Sequence, residues 1–244
     1  MKNIFLCIIF LLGIISCKQL NEPSNSLKYS MIGNLILNSS HQEMYIYNTI
    51  PLNENKWNDF PHTDNNYFVK NANILINNEK NITFRYNLNM DSSVYYYTAN
   101  FNIKPLNRYT LKVVINGEEI TGETYLPGSF SILSPLPEQH FTQVNDTIKI
   151  PFVWNASSNS FGYIIHFFEK YNGKFFRENS FVSQDTSFLF TLNERGRKKY
   201  KFEILAFDKN LYQHIIQKIP SAGIKGAYGY FGSSVMKSVT IKIN

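Results

Sequence analysis

The sequence predicts an all-β protein built from two successive sandwiches. Three observations carry that prediction. Aromatic side chains are dense, with 20 Phe and 16 Tyr in 244 residues, and large rings together with β-branched residues suit a pleated, half-buried surface. Short apolar or alternating runs recur along the chain, separated by clusters of Asn, Ser, Gly and Pro, which is the spacing of strands and turns. Beyond the first residues no long apolar stripe at 3.6-residue spacing marks an amphipathic helix.

Taken in order, the chain opens with Lys2 and an apolar run from Ile4 to Ile15. A charged start, a short apolar middle and a small residue before a cut form an export signal. The run is shorter than the ~20 residues a bilayer-spanning helix needs. Ile14-Ile15-Ser16-Cys17 resembles the lipobox of bacterial lipoproteins. The resemblance implies a signal peptide over 1–16 and a diacylated Cys17 as first residue of the mature chain. Two acyl chains, palmitate among them, give stable membrane anchoring. Cys7 leaves with the signal, so an acylated Cys17 leaves no thiol for a disulfide, and stability has to come from the core. Residues 18–27 are polar with Pro23, making 17–28 a flexible tether.

Strand signals then follow at regular intervals: Met31–Leu37, Met44–Ile50, Ala72–Ile76, Ile82–Tyr86, Val94–Ile103, Tyr109–Ile115 and Ile120–Tyr125. Trp57 to Asn66 reads as a polar loop around Pro61. Asn116-Gly117 between the last two runs is a hairpin signal, because both residues tolerate positive φ. Leu126-Pro127-Gly128 and Ser134-Pro135-Leu136-Pro137 interrupt the pattern, and proline removes ladder donors. This places a first sandwich over 29–130 and a second over 131–244. In the second, Ile148, Ile150, Phe152 and Trp154 alternate onto one face. Phe161 to Phe168, Thr186–Leu192, Tyr200–Ala206 and Ser238–Ile243 continue the pattern, with Asn172-Gly173 as a second turn.

Trp154 ending one strand, Tyr163 opening the next and Tyr200-x-Phe-x-Ile-x-Ala206 resemble a fibronectin type III domain, within the broader immunoglobulin-like class. That resemblance covers roughly 145–244 and implies a seven-strand sandwich with Trp154 in the core and Tyr200 at the tyrosine corner. The segment 211–234 departs from it as a long insertion, and Leu192 to Tyr200 looks stretched for the corner. The whole chain also resembles two-domain outer-membrane lipoproteins of bacteroidete type. The lipobox, Val69 to Ile76, Tyr109 to Val113, Thr124-Tyr125-Leu126-Pro127 and Gly229-Tyr230-Phe231-Gly232 carry that likeness. The N-terminal half is also similar to transthyretin-like or carboxypeptidase-regulatory-like sandwiches. These resemblances imply no enzyme activity, but an accessory role in nutrient uptake or surface interaction.

No catalytic constellation can be read from the residues. Five His occur, at 41, 62, 140, 166 and 214, and no Gly-x-Ser-x-Gly elbow surrounds a nucleophile. His166 falls on the outer face of its strand. Asp59, His62 and Asp64 lie close in one loop, where oxygen and imidazole ligands can hold an ion and Asx turns explain the same residues; the expectation is no metal and no cofactor. Glu118-Glu119 reads as a solvated turn, and Asp208 as a cap for the turn at Lys209-Asn210. Asp146-Thr147-Ile148 is similar to a short O-glycosylation motif. The formal charge of +6 is spread out, and no motif indicates nucleic acid. Arg195-Gly196-Arg197-Lys198-Lys199 is the basic cluster, read as a solvated turn or as a contact to anionic head groups or lipopolysaccharide.

The candidate binding segment is 211–234. Gly223, Gly226, Gly229 and Gly232 recur every three residues, with Tyr228, Tyr230 and Phe231 between them and Tyr212 upstream. Rings on a glycine-rich loop make a contact surface with few rotors to order, suited to a protein or glycan partner; packing of the loop against a sandwich explains the same residues. The expected function is a non-enzymatic binding or accessory module at the cell envelope, anchored through Cys17. Lys18 after Cys17 leans towards the outer membrane. The competing expectations are a structural partner of an outer-membrane transporter and a hydrolase with a scattered site.

Overall fold

The computed structural model describes residues 27–37, 39, 41–49, 67–77, 81–89, 94–142, 147–192 and 198–243. Its regular structure is strand apart from one short helix, and the strands form β-sandwiches. Cys17, the 57–66 loop with Asp59, His62 and Asp64, and Arg195 to Arg197 lie outside the described residues.

The first sandwich begins with strands β1 (Tyr29–Leu37) and β2 (His41–Asn48). Next come β3 (Asn73–Asn77), β4 (Asn81–Thr83), β5 (Arg85–Asn89) and β6 (Val94–Asn100). It continues with β7 (Arg108–Ile115) and β8 (Glu118–Tyr125). Strict alternation produces its faces: Met31 and Leu35 of β1 are buried while their neighbours are half exposed. Ile74, Ile76, Leu111, Val113 and Ile120 bury the opposing sheet against them. Asn116 and Gly117 both take positive φ at the β7–β8 turn, as the Asn-Gly signal requires.

The second sandwich contains β9 (Ile132–Ser134), β10 (Gln139–Phe141), β11 (Ile148–Trp154), β12 (Gly162–Tyr171), β13 (Lys174–Ser183), β14 (Ser187–Leu192) and β15 (Lys198–Phe207). A seven-residue helix α1 (Lys209–Ile215), the short strands β16 (Ser221–Ala222) and β17 (Ile224–Lys225), and β18 (Tyr228–Ile243) close the chain. One sheet runs β14-β11-β9 and the facing layer runs β13-β12-β15-β18. This three-plus-four order is fibronectin-type-III-like. Trp154 is 1% exposed and meets Tyr163 edge-on at 5.2 Å. Phe152 and Phe202 join the two layers at 4.3 Å between ring centres. The sequence reading missed β13, whose residues are mostly exposed on both faces and so show no alternation.

The sixteen-residue strand β18 governs the architecture. Its first half, Tyr228 to Val235, pairs in parallel with β1. Its second half, from Ser234 to Ile243, pairs antiparallel with β15. The strands β13-β12-β15-β18-β1-β2-β6-β5 thus form one continuous path through both sandwiches. Strand β17 adds to β8 in the other layer of the first sandwich. The segment expected as a long loop of the second sandwich therefore supplies strands to the first. At ~3.3 Å per residue, β18 makes a spine about 50 Å long.

Register fixes the direction of that spine. Ser30 at the start of β1 aligns with Tyr228 at the start of β18. Lys198 aligns with Ile243 at the other end, and Glu169 of β12 with Tyr200. The β12–β13 turn at Asn172-Gly173 therefore lies past the last residues of β18. The chain enters at Lys28 at one end, and this hairpin tip stands at the opposite end.

Candidate functional site: the 208–234 junction

Asp208 starts the junction. Its carboxylate accepts the Leu211 amide at 2.9 Å, the N-cap bond of α1. Its other oxygen accepts the Thr124 hydroxyl of β8 at 2.5 Å. Thr124 also lies 2.8 Å from the Ser233 hydroxyl, and the Asp208 amide donates to the Ser233 carbonyl. Asp208, Thr124 and Ser233 are all buried. Burial disfavours the charged carboxylate and outweighs these hydrogen bonds, so the Asp208 carboxyl is pushed up to about 6. Asn210 extends the junction by donating to the carbonyls of Glu123 and Phe231. One buried carboxylate thus joins the helix, β8 and β18.

The four candidate aromatic residues part company here. Phe231 is fully buried; it faces Gly33 across the β1 ladder and belongs to the first core. The expectation that it lines an exposed loop is corrected, because its segment is strand and its side chain falls on the inward parity. Tyr230, on the opposite parity, lies under α1, with its ring 4.7 Å from that of His214. Burial, then the Asp208 charge, pushes the Tyr230 hydroxyl up to about 12. Tyr212 stacks on Phe207 at 6.5 Å and 19°, and its hydroxyl accepts from Gln184 at 3.0 Å. Tyr228 is 36% exposed and is the most open of the four.

The glycine repeat has a backbone cause. Gly229 has φ +101, and a Cβ there would collide with the Met31 carbonyl of the paired strand. Gly223 has φ +70 and a Cβ would strike the Asn210 amide. Both positions need the missing side chain so that strands and cap can approach.

Other sequence-marked residues are placed singly. His166 and Ser180 are cross-strand partners on the outer face of β12 and β13, with Nδ1 2.7 Å from Oγ. Glu203 is the register partner of His166 on its other side, yet its carboxylate takes the Lys201 ammonium at 2.8 Å. Burial first, then Arg177, holds the His166 imidazole below its ordinary value, so its neutral form is favoured. The pair forms a polar row on an open sheet face. Glu118 pairs with Lys28, and Glu119 with Lys112. Lys198 pairs with Glu169 at 2.8 Å, and Lys199 with Glu138 at 2.8 Å. Among the described residues no group of three His, Cys, Asp or Glu side chains is arranged to hold a metal ion. Among them, too, no helix is long and apolar enough to cross a membrane.

Sequence reasoning left one surface unmarked, the β12–β13 tip. Tyr171 is 66% exposed and Phe176 49%. The Lys201 ammonium lies 4.4 Å above the Phe168 ring and 5.5 Å above Phe175, and the Arg177 guanidinium lies 5.5 Å above Phe168. The available signal was Asn172-Gly173, which marks the tip itself.

No family model matches the chain, and no curated protein matches it. Among solved structures the chain is similar to the FN1–FN3 domains of chicken CNTN1, with 13% identity and a TM-score of 0.26. The alignment covers 88% of this chain and 66% of that one.

Proposed function

We propose that this protein is an envelope-anchored, non-enzymatic binding or accessory module of the two-domain bacteroidete-type lipoprotein kind. Acylated Cys17 holds it to the outer membrane, and the second sandwich presents a contact surface to a protein or glycan partner. The observation that supports this best is the spine. Chain entry and the aromatic hairpin tip sit at opposite ends of one continuous sheet, so an anchor at one end holds the tip about 50 Å away. The tip combines exposed Tyr171 and Phe176 with Lys170, Lys174 and Arg177; tyrosine and arginine are enriched among the residues that dominate contact energies at interfaces. The half-exposed Tyr228 is the remaining contact candidate of the 211–234 segment. A sandwich fold by itself assigns no function, so the reading stands on this placement.

Two measurements test it. Replacing Cys17 with Ser should release the protein from membranes; an uncleaved chain that stays attached would show that acylation is not the anchor. Cross-linking the parent and a Tyr171→Ser, Phe176→Ser variant in native membranes, with a glycan array alongside, should capture a ligand that the variant loses at least tenfold, the loss of two hot-spot rings. Equal capture by both would place the contact elsewhere.

A further inference from the structure

We propose that the tether-side end of the first sandwich docks on the anionic headgroup surface of the leaflet that anchors Cys17. The inference rests on the membrane-anchored reading above. It differs from that reading in giving the anchored end its own contact, so that the body stands on the leaflet and does not swing on residues 17–28.

A cleft of about 370 Å³ opens at this end. Tyr29, Asn48, Phe68, Lys70, Asn71 and Asn116 line it. It therefore lies where the chain enters the fold, beside the β7–β8 turn to which Lys28 is tied through Glu118. The tether is short: the twelve residues from Cys17 to Lys28, eleven Cα steps, reach at most ~40 Å, so the cleft cannot stray far from the headgroups.

The chemistry of the end matches the same partner. Lys70 is exposed, and among the described residues no carboxylate lies within ion-pairing distance of it. Its ammonium sits 4.7 Å over the Tyr95 ring. Tyr86, 40% exposed, stacks on Tyr95 at 5.6 Å and 15°, and Phe68 packs against both at 5.8 and 5.6 Å. Tyrosine rings with an adjoining lysine are the side chains that settle at the headgroup level of a bilayer. Asn48, Asn71 and Asn116 line the same cleft as Lys70. Asn71 spends one N–H on Asn116 at 2.8 Å and keeps a second donor. A cleft that offers an ammonium and amide donors suits a phosphate oxygen. At the hairpin tip itself, the space around Gly117 is open, with nothing within 4 Å of a Cβ built there.

The test uses the chain from Cys17 produced without residues 1–16, so that its single thiol is unmodified and couples to vesicles through a maleimide lipid. Tyr86→Trp and Tyr171→Trp variants, one at each end, are read by quenching from doxyl-labelled phosphatidylcholine, with Trp57 and Trp154 as common background. Docking predicts quenching of the first and none of the second on vesicles containing phosphatidylglycerol. Lys70→Ala should weaken the docked state about fivefold, the effect of one lysine near an anionic surface, and added salt should do the same. Protection of amides 68–72 and 115–118 from hydrogen exchange gives a second readout without a new side chain. If both Trp variants are equally unquenched and those amides are unprotected, the docking is wrong. If docking is the same on pure phosphatidylcholine, the anionic headgroup is the wrong partner. Acylation is read separately from the mass of the native protein, so failure of the anchor and failure of the docking are distinct results.

Discussion

Asp208 makes stability depend on pH in the direction opposite to most carboxylates. A surface-paired Asp has a depressed pKa and stabilises the fold above pH 4. Asp208 is 3% exposed, and its carboxyl is pushed from 3.8 up to about 6. Between those values the folded chain holds a proton that the unfolded chain has released. Stability therefore falls as pH rises through that window and levels off above it. A displacement of roughly two pH units at 1.36 kcal/mol each corresponds to about 3 kcal/mol of lost stability between pH 4 and 7. Asp208→Asn removes the titration. Its amide oxygen still accepts the Leu211 amide, and its NH2 can donate to Thr124, whose hydroxyl turns towards Ser233. Urea unfolding of both proteins from pH 4 to 7 measures the effect. The difference between their stabilities isolates this group from His166 and His214, which are present in both. The expected outcome is a difference that grows by about 3 kcal/mol as pH rises, to the advantage of Asn. Parallel profiles would refute the argument that burial outweighs the hydrogen bonds at this site.

Two further outcomes follow from the burial of single rings. Phe231→Ala should destabilise the chain by about 3–5 kcal/mol, as for other buried aromatic residues, whereas Tyr228→Ala should change stability by less than about 1 kcal/mol; denaturant midpoints decide both, and equal losses would contradict the parity assigned to β18. Trp154→Ala should cost about 3–5 kcal/mol in the same assay, and because the buried Trp154 indole N–H has no hydrogen-bond partner among the described residues, Trp154→Phe should cost clearly less.

Much of the fold was legible because alternation is a local signal. Ile148 to Trp154 reads as a one-faced strand and folds as one, with buried and exposed residues in strict turn. Asp208 was legible as a cap because a short acceptor before Lys-Asn-Leu suits a helix start. The helix itself was not, since seven residues with one buried side chain, Leu211, carry no periodicity. The first turn of β18 looked like a loop because Gly229 and Gly232 interrupt the apolar pattern, yet Gly229 is there to let the Met31 carbonyl approach. The junction cluster was invisible for another reason. Thr124 meets Asp208 and Ser233 across separations of 84 and 109 residues, and no local pattern joins polar residues that far apart. The tip of β13 escaped because a strand exposed on both faces needs no alternation.

The shared strand also sets a schedule for folding. Strand β1 finds its parallel partner only in residues 228–235, which are synthesised long after it. Until then the first sandwich has an open edge at β1, and β8 lacks the strand that Ile224 and Lys225 bring to it. The two layers of the first sandwich therefore cannot be completed before residues 224–235 are available. Closure then depends on contacts of very long sequence separation, which makes folding slow.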